Sequence, residues 1–141
     1  MGGNMVKARF DAKVSELSGV IDFVNEALKK CGWDHDSLPV IDVAVEEIFV
    51  NIASYAYVQL PGADQYADIT VETDEAGNAT VVFEDEGIEY NPLLRKDPDV
   101  TLPAMDRKIG GLGIYMVKMS MDKVSYERID GKNVFTIMKK L

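Results

Sequence analysis

Three short strings, far apart in the chain, hold the residues best suited to chemistry. The first is Glu47-Ile48-Phe49-Val50-Asn51. Apolar residues at Ile41, Val45, Ile48, Ile52 and Tyr55 recur at helical spacing. At about 100° per residue, Glu47 and Asn51 fall together at one edge of that stripe, one turn apart, while Glu46 points away. A carboxylate and an amide stacked there can face a ligand beside a sheet, or can be a plain solvated i,i+4 pair. The second string, Asp85-Glu86-Gly87-Ile88-Glu89-Tyr90-Asn91-Pro92, follows a β-rich run ending at Phe83. An aspartate just past a strand end can accept a hydrogen bond from an exocyclic amino group, and Gly87 lets a flat ring approach the backbone. The same composition also describes an ordinary turn. The third, Gly110-Gly111-Leu112-Gly113, opens an apolar stretch. Free N–H groups and the positive end of a helix dipole suit a phosphate, although glycine-rich helix starts are common.

The elements that must position these strings read in the order β-α-α-β-β-loop-α-β-β. Val6, Ala8 and Phe10 alternate, predicting a first strand over Met5–Asp11. Val14, Leu17, Ile21, Val24 and Leu28 predict an amphipathic helix, closed by Lys29-Lys30 and Gly32. A second helix begins near Asp36-Ser37-Leu38-Pro39, where Ser or Asp can cap, and ends before Pro61-Gly62. Residues 69–73 and 79–83 form a hairpin around Gly77-Asn78, and residues 124–129 and 133–138 form another around Asp130-Gly131. Between the hairpins lie a long connection, 86–110, and a buried helix over 114–121. The pattern predicts one α+β domain over residues 1–141. Its architecture is a two-layer sandwich, with a mixed, mostly antiparallel sheet covered by helices on one face. Thr136 in the last strand is left out of the candidate site, since the sequence leaves its register open.

Taken in order, Glu47-x-x-x-Asn51, Asp85-x-Gly87 and Gly110-Gly111-x-Gly113 resemble the N, G1 and G2 boxes of the GHKL superfamily of Bergerat-fold ATP-binding proteins. The longer strings through Tyr90-Asn91-Pro92, Ile114-Tyr115 and Met121-Asp122-Lys123-Val124 are similar to those of its anti-sigma-factor serine/threonine kinase branch. The likeness spans roughly residues 5–141 and implies ATP and Mg²⁺ as ligands. It implies Asn51 as the magnesium ligand, sharing the ion with phosphate oxygens and water. Glu47 is implied as the catalytic base for an attacking hydroxyl, and Asp85 as the partner of the adenine amino group over Gly87. Tyr90, Asn91, Gly110, Gly111, Leu112 and Gly113 complete the implied nucleotide contacts. The segment 93–109 is implied as a lid, from which Arg95, Lys96, Arg107 or Lys108 can neutralise charge on the γ-phosphate; Arg107 and Lys108 are placed among the nucleotide contacts. Tyr55 stands where this branch often carries a histidine.

The implied function is an anti-sigma factor with kinase activity toward a small anti-sigma antagonist. The alternative is a nucleotide-sensing interaction module of the same fold without catalysis. Implied partners are a sigma factor, the antagonist and a second copy of the chain. Composition narrows the field further. A net charge of −9 disfavours direct nucleic-acid binding. The charge is uneven: residues 1–100 carry 7 Lys/Arg against 20 Asp/Glu, and residues 101–141 carry 8 against 4, so the locally basic last third can hold a small anion. No apolar run is long enough to cross a membrane, and the start lacks a basic-then-apolar signal, which sets the expectation of a cytoplasmic protein. The single cysteine, Cys31, has no internal disulfide partner. One histidine, His35, in an Asp-His-Asp string, offers neither a histidine-kinase phosphoacceptor helix nor enough ligands for a His/Cys zinc site. The chain also lacks a Gly-x-Ser-x-Gly elbow for a hydrolase.

Overall fold

The computed structural model describes residues 3–94 and 112–141. Five strands, β1 (Met5–Asp11), β2 (Tyr66–Thr73), β3 (Ala79–Asp85), β4 (Lys123–Ile129) and β5 (Lys132–Lys139), form one sheet in the order β1-β2-β3-β5-β4. The α+β expectation holds. The sheet is not mixed: all four pairings among the described residues are antiparallel. Register places Ala8, Ile69, Phe83, Phe135 and Tyr126 in one row across the sheet, and Val6, Val71, Val81, Ile137 and Val124 in another. Both rows lie on the face that the helices cover. Thr136, between Phe135 and Ile137, therefore points to the opposite face, away from the site. The turn at Asp130-Gly131 has positive φ at both residues, 50° and 79°, the geometry that suits the right-handed twist of a two-residue hairpin.

Among the described residues three helices form the second layer: α1 (Leu17–Lys29), α2 (Leu38–Asn51) and α3 (Leu112–Ser120), with α2 packed against both others. The α1 stripe is Val20, Val24 and Leu28. Val14, expected to begin it, lies in a 3₁₀ turn (Val14–Glu16) and stays exposed, since three residues per turn shift its phase. At the start of α2, Ser37 makes no side-chain cap bond. Asp34 organises the turn instead: its Oδ1 accepts the N–H of Asp36 and Ser37, and its carbonyl accepts the N–H of Leu38. The stripe through Ile41, Val45, Ile48 and Phe49 is fully or nearly buried. Burying each such side chain contributes roughly 1.5–3 kcal/mol.

The helical pattern breaks after Asn51, where Ile52–Ala56 form a π-helical turn. One extra residue in the turn rotates everything beyond it. Tyr55, expected in the buried stripe, is consequently 63% exposed. Among the described residues no helix is long and apolar enough to cross a membrane.

Candidate functional site

Asn51, at the end of α2, and Asp85, at the end of β3, line one cleft of about 270 Å³. Tyr90 lines it too, and Ile48, Ile52, Ala56, Ile88 and Phe135 supply apolar walls. A cleft of this size, mostly apolar with a few polar groups, falls just short of the roughly 300–1,000 Å³ usual for small-molecule sites. Glu47, one turn before Asn51, is half-buried and its carboxyl lies against the first turn of α3; a Cβ built on Gly113 would overlap it. The second helix is therefore the hinge of the arrangement. Asn51 shares the cleft with the second string, and Glu47 touches the third.

Asp85 is 4% exposed. Its Oδ1 accepts two N–H groups at 2.9 Å each, from Gly87 and from the Asn133 amide. Burial pushes this carboxyl above the usual carboxylate range, while the Asn133 and Gly87 bonds and the nearby Arg128 charge act against that rise. Oδ2 has no hydrogen-bond partner among the described residues, which leaves an acceptor for a group entering the cleft.

The strand-to-loop turn is held from behind by the π turn. The Ile88 N–H donates to the Ala56 carbonyl at 2.9 Å, and the Glu86 N–H donates to Tyr57 Oη at 2.9 Å. That hydroxyl in turn donates to the Tyr66 carbonyl at 2.5 Å. Gly87 fits because a Cβ there would come within 2.6 Å of Ala56 Cβ and overlap its carbonyl oxygen. The need for glycine thus has a reason in packing as well as any ligand can give it. Arg128 of β4 donates from Nη1 to the Gly87 carbonyl at 2.9 Å, closing the other side.

Other expected site residues stand apart. Asn91 does not line the cleft; its Oδ1 accepts the Leu93 N–H and its carbonyl the Leu94 N–H, so it caps the short turn Pro92–Leu94. Leu112 begins α3 and is exposed, outside the cleft lining. Gly110, Gly111, Arg107, Lys108, Arg95 and Lys96 lie outside the described residues. In the other direction, Asn133, Tyr126, Arg128 and Tyr57 shape the site without having stood out in the sequence. The one available signal was Asn133, a polar residue heading a strand just after an Asp-Gly turn. No group of three or more His, Cys, Asp or Glu able to hold a metal occurs among the described residues.

Comparison with known proteins identifies a family and two similar proteins. The family profile of the histidine kinase-like ATPase domain matches residues 10–139. The serine-protein kinase RsbW of Halalkalibacterium halodurans is 25% identical over 122 residues, covering 83% of this chain and 72% of that protein. Among solved structures, the RsbU and RsbW domains of Rv1364c from Mycobacterium tuberculosis are similar, with a TM-score of 0.67 at 16% identity. That match covers 98% of this chain but 32% of the longer one, and at such identity it speaks for the fold alone.

Proposed function

The chain belongs to the histidine kinase-like ATPase domain family, and from that premise we propose that it binds ATP with Mg²⁺ and phosphorylates a serine or threonine of a small partner protein. The observation that carries this reading is the convergence of Asn51 and Asp85 on one cleft with Glu47 against Gly113. An adenine ring fits apolar walls that end in a carboxylate acceptor. Asp85 Oδ2 takes the amino group, while Asn51 offers a neutral oxygen to a cation that keeps most of its water. Magnesium, when bound, supplies charge neutralisation at the phosphates. Glu47 holds the hydroxyl of the incoming serine or threonine and removes its proton. The first turn of α3 supports the reading by presenting backbone N–H groups beside Glu47.

The similarity to a serine-protein kinase RsbW extends the proposal to its circuit. The chain acts as an anti-sigma factor, its partners are a sigma factor and a small antagonist, it pairs with a second copy of itself, and it works in the bacterial cytoplasm to regulate transcription. Incubation with Mg-ATP and a small anti-sigma antagonist, followed by intact-mass spectrometry, tests the transfer. Glu47→Gln keeps the shape that Gly113 accommodates, so it is expected to retain nucleotide binding and lose transfer. Transfer at the wild-type rate in that variant rejects the base assignment. Tight binding with no transfer by the wild type leaves a nucleotide-sensing module.

A further inference from the structure

Asn133 heads β5, where register sets it opposite Asp85 on β3 and Arg128 on β4. It is 6% exposed, yet every hydrogen-bonding capacity of its amide is used. Nδ2 donates to Asp85 Oδ1 at 2.9 Å and to the Ile88 carbonyl at 2.7 Å. Oδ1 accepts the Tyr90 N–H at 3.2 Å and the Tyr126 hydroxyl at 2.5 Å. Two of these partners are backbone groups whose sense cannot change: an N–H only donates and a carbonyl only accepts. They fix the amide orientation, because a flipped Asn133 would set N–H against N–H at Tyr90 and oxygen against oxygen at Ile88. The remaining N–H must therefore face Asp85, and Tyr126 must spend its proton on Asn133.

We propose that Asn133, locked by Tyr126, Tyr90 and Ile88, is a positioning residue that turns Asp85 so that only Oδ2 meets the cleft, and thereby makes the site select rings bearing an exocyclic amino group. This rests on the nucleotide reading above and names what enforces its base preference. With Oδ1 saturated by Asn133 and Gly87, the polar end of the cleft presents an acceptor and withholds two donors, the Asn133 amide and the Tyr126 hydroxyl. A ring carrying a carbonyl at the same carbon would bring oxygen onto carboxylate. Loss of Asn133 removes one of the two bonds that hold Asp85 and frees the Tyr126 proton, so a carbonyl then finds a donor.

The test compares ATP with inosine 5′-triphosphate, which differs by amino against carbonyl, by calorimetric titration in Mg²⁺ buffer. The wild type should prefer ATP by about 100-fold or more. Asn133→Ala should cut that preference below about 10-fold, whereas a residue that only stabilises the fold would weaken both nucleotides alike and leave the ratio intact. Asn133→Leu removes the same bonds with little change in volume and should lower the ratio in the same direction; it decides the matter if Asn133→Ala does not fold. Asp85→Asn should invert the preference, because Asn133 and Gly87 still claim its oxygen and leave its NH₂ toward the ring. A ratio within about twofold of wild type in folded Asn133→Ala or Asn133→Leu overturns the positioning role while leaving nucleotide binding in place. Binding of neither nucleotide by the wild type overturns both.

Discussion

Asp68 and Asp85 sit at the same burial, 4% exposed each, on adjacent strands, and their surroundings drive them in opposite directions. Asp68 is on the open face of the sheet, where Arg9 binds both its oxygens, at 2.7 and 3.0 Å, while stacking 3.7 Å above the Tyr66 ring. The Tyr66 hydroxyl goes on to Glu86. Held by the Arg9 guanidinium, the Asp68 carboxyl falls below the usual range. Asp85 faces the helices, has amide partners in place of a bonded cation, and is pushed above that range by burial. The lesson is that burial alone does not mark a site. An internally paired carboxylate is structural, and one with a free oxygen on a cleft is available for a ligand.

The sharpest way to break this difference is Gly87→Ala. The added methyl meets Ala56 and displaces the turn that donates to Asp85, while leaving the Arg9–Asp68 pair alone. Overpacking against backbone should cost about 2–3 kcal/mol and lower Tm by roughly 10 °C, read by calorimetry. Next in size are two matched isosteric changes. Asp85→Asn removes a poorly solvated charge and should raise stability at pH 7 by about 1 kcal/mol, whereas Asp68→Asn should lower it by about 1 kcal/mol, a value kept small because the Arg9 side chain is 60% exposed. Urea titration of the two variants checks the opposite signs.

The smallest effect is the pH dependence, and it sharpens the same contrast. A raised carboxylate gives its full stability below the unfolded value, about 3.9, and loses it as pH rises toward the folded value. The gain from Asp85→Asn should therefore vanish below about pH 4 and grow above it. A lowered carboxylate contributes above the unfolded value and loses its contribution as pH falls through the folded one. The deficit of Asp68→Asn should shrink as pH drops below about 4. Midpoints measured from pH 3 to 8 that move the two variants in parallel would remove the distinction.

Most of the fold was legible because its signals are local. Period-two runs, helical stripes and the Asp130-Gly131 turn depend on residues near each other in sequence. The candidate site was legible where side chains project from such elements: helical phase alone set Glu47, which lies by Gly113, apart from exposed Glu46, and Asp85, which lines the cleft, ends a recognisable strand. Tyr55 misled because the π turn adds a residue that a 100° count cannot anticipate. Asn133 and Tyr126 stayed hidden because their roles depend on strand register across the sheet, and Thr136 was resolved only once that register was known. Gly87 looked like a ring-facing glycine, and its contact with Ala56 is a long-range packing fact with no local trace. Asn91 read as part of the site, yet its side chain is used by its own turn.

Every functional step proposed above requires the cleft beside Asp85 to take an adenine nucleotide with Mg²⁺. Calorimetric titration of the wild type, Asp85→Ala and Asp68→Ala with ATP, with and without Mg²⁺, tests it most directly. One site per chain is expected, tighter with Mg²⁺, weakened about 100-fold (about 2.7 kcal/mol) by Asp85→Ala and unchanged by Asp68→Ala. Equal affinity in all three proteins, or no binding by the wild type, would contradict it.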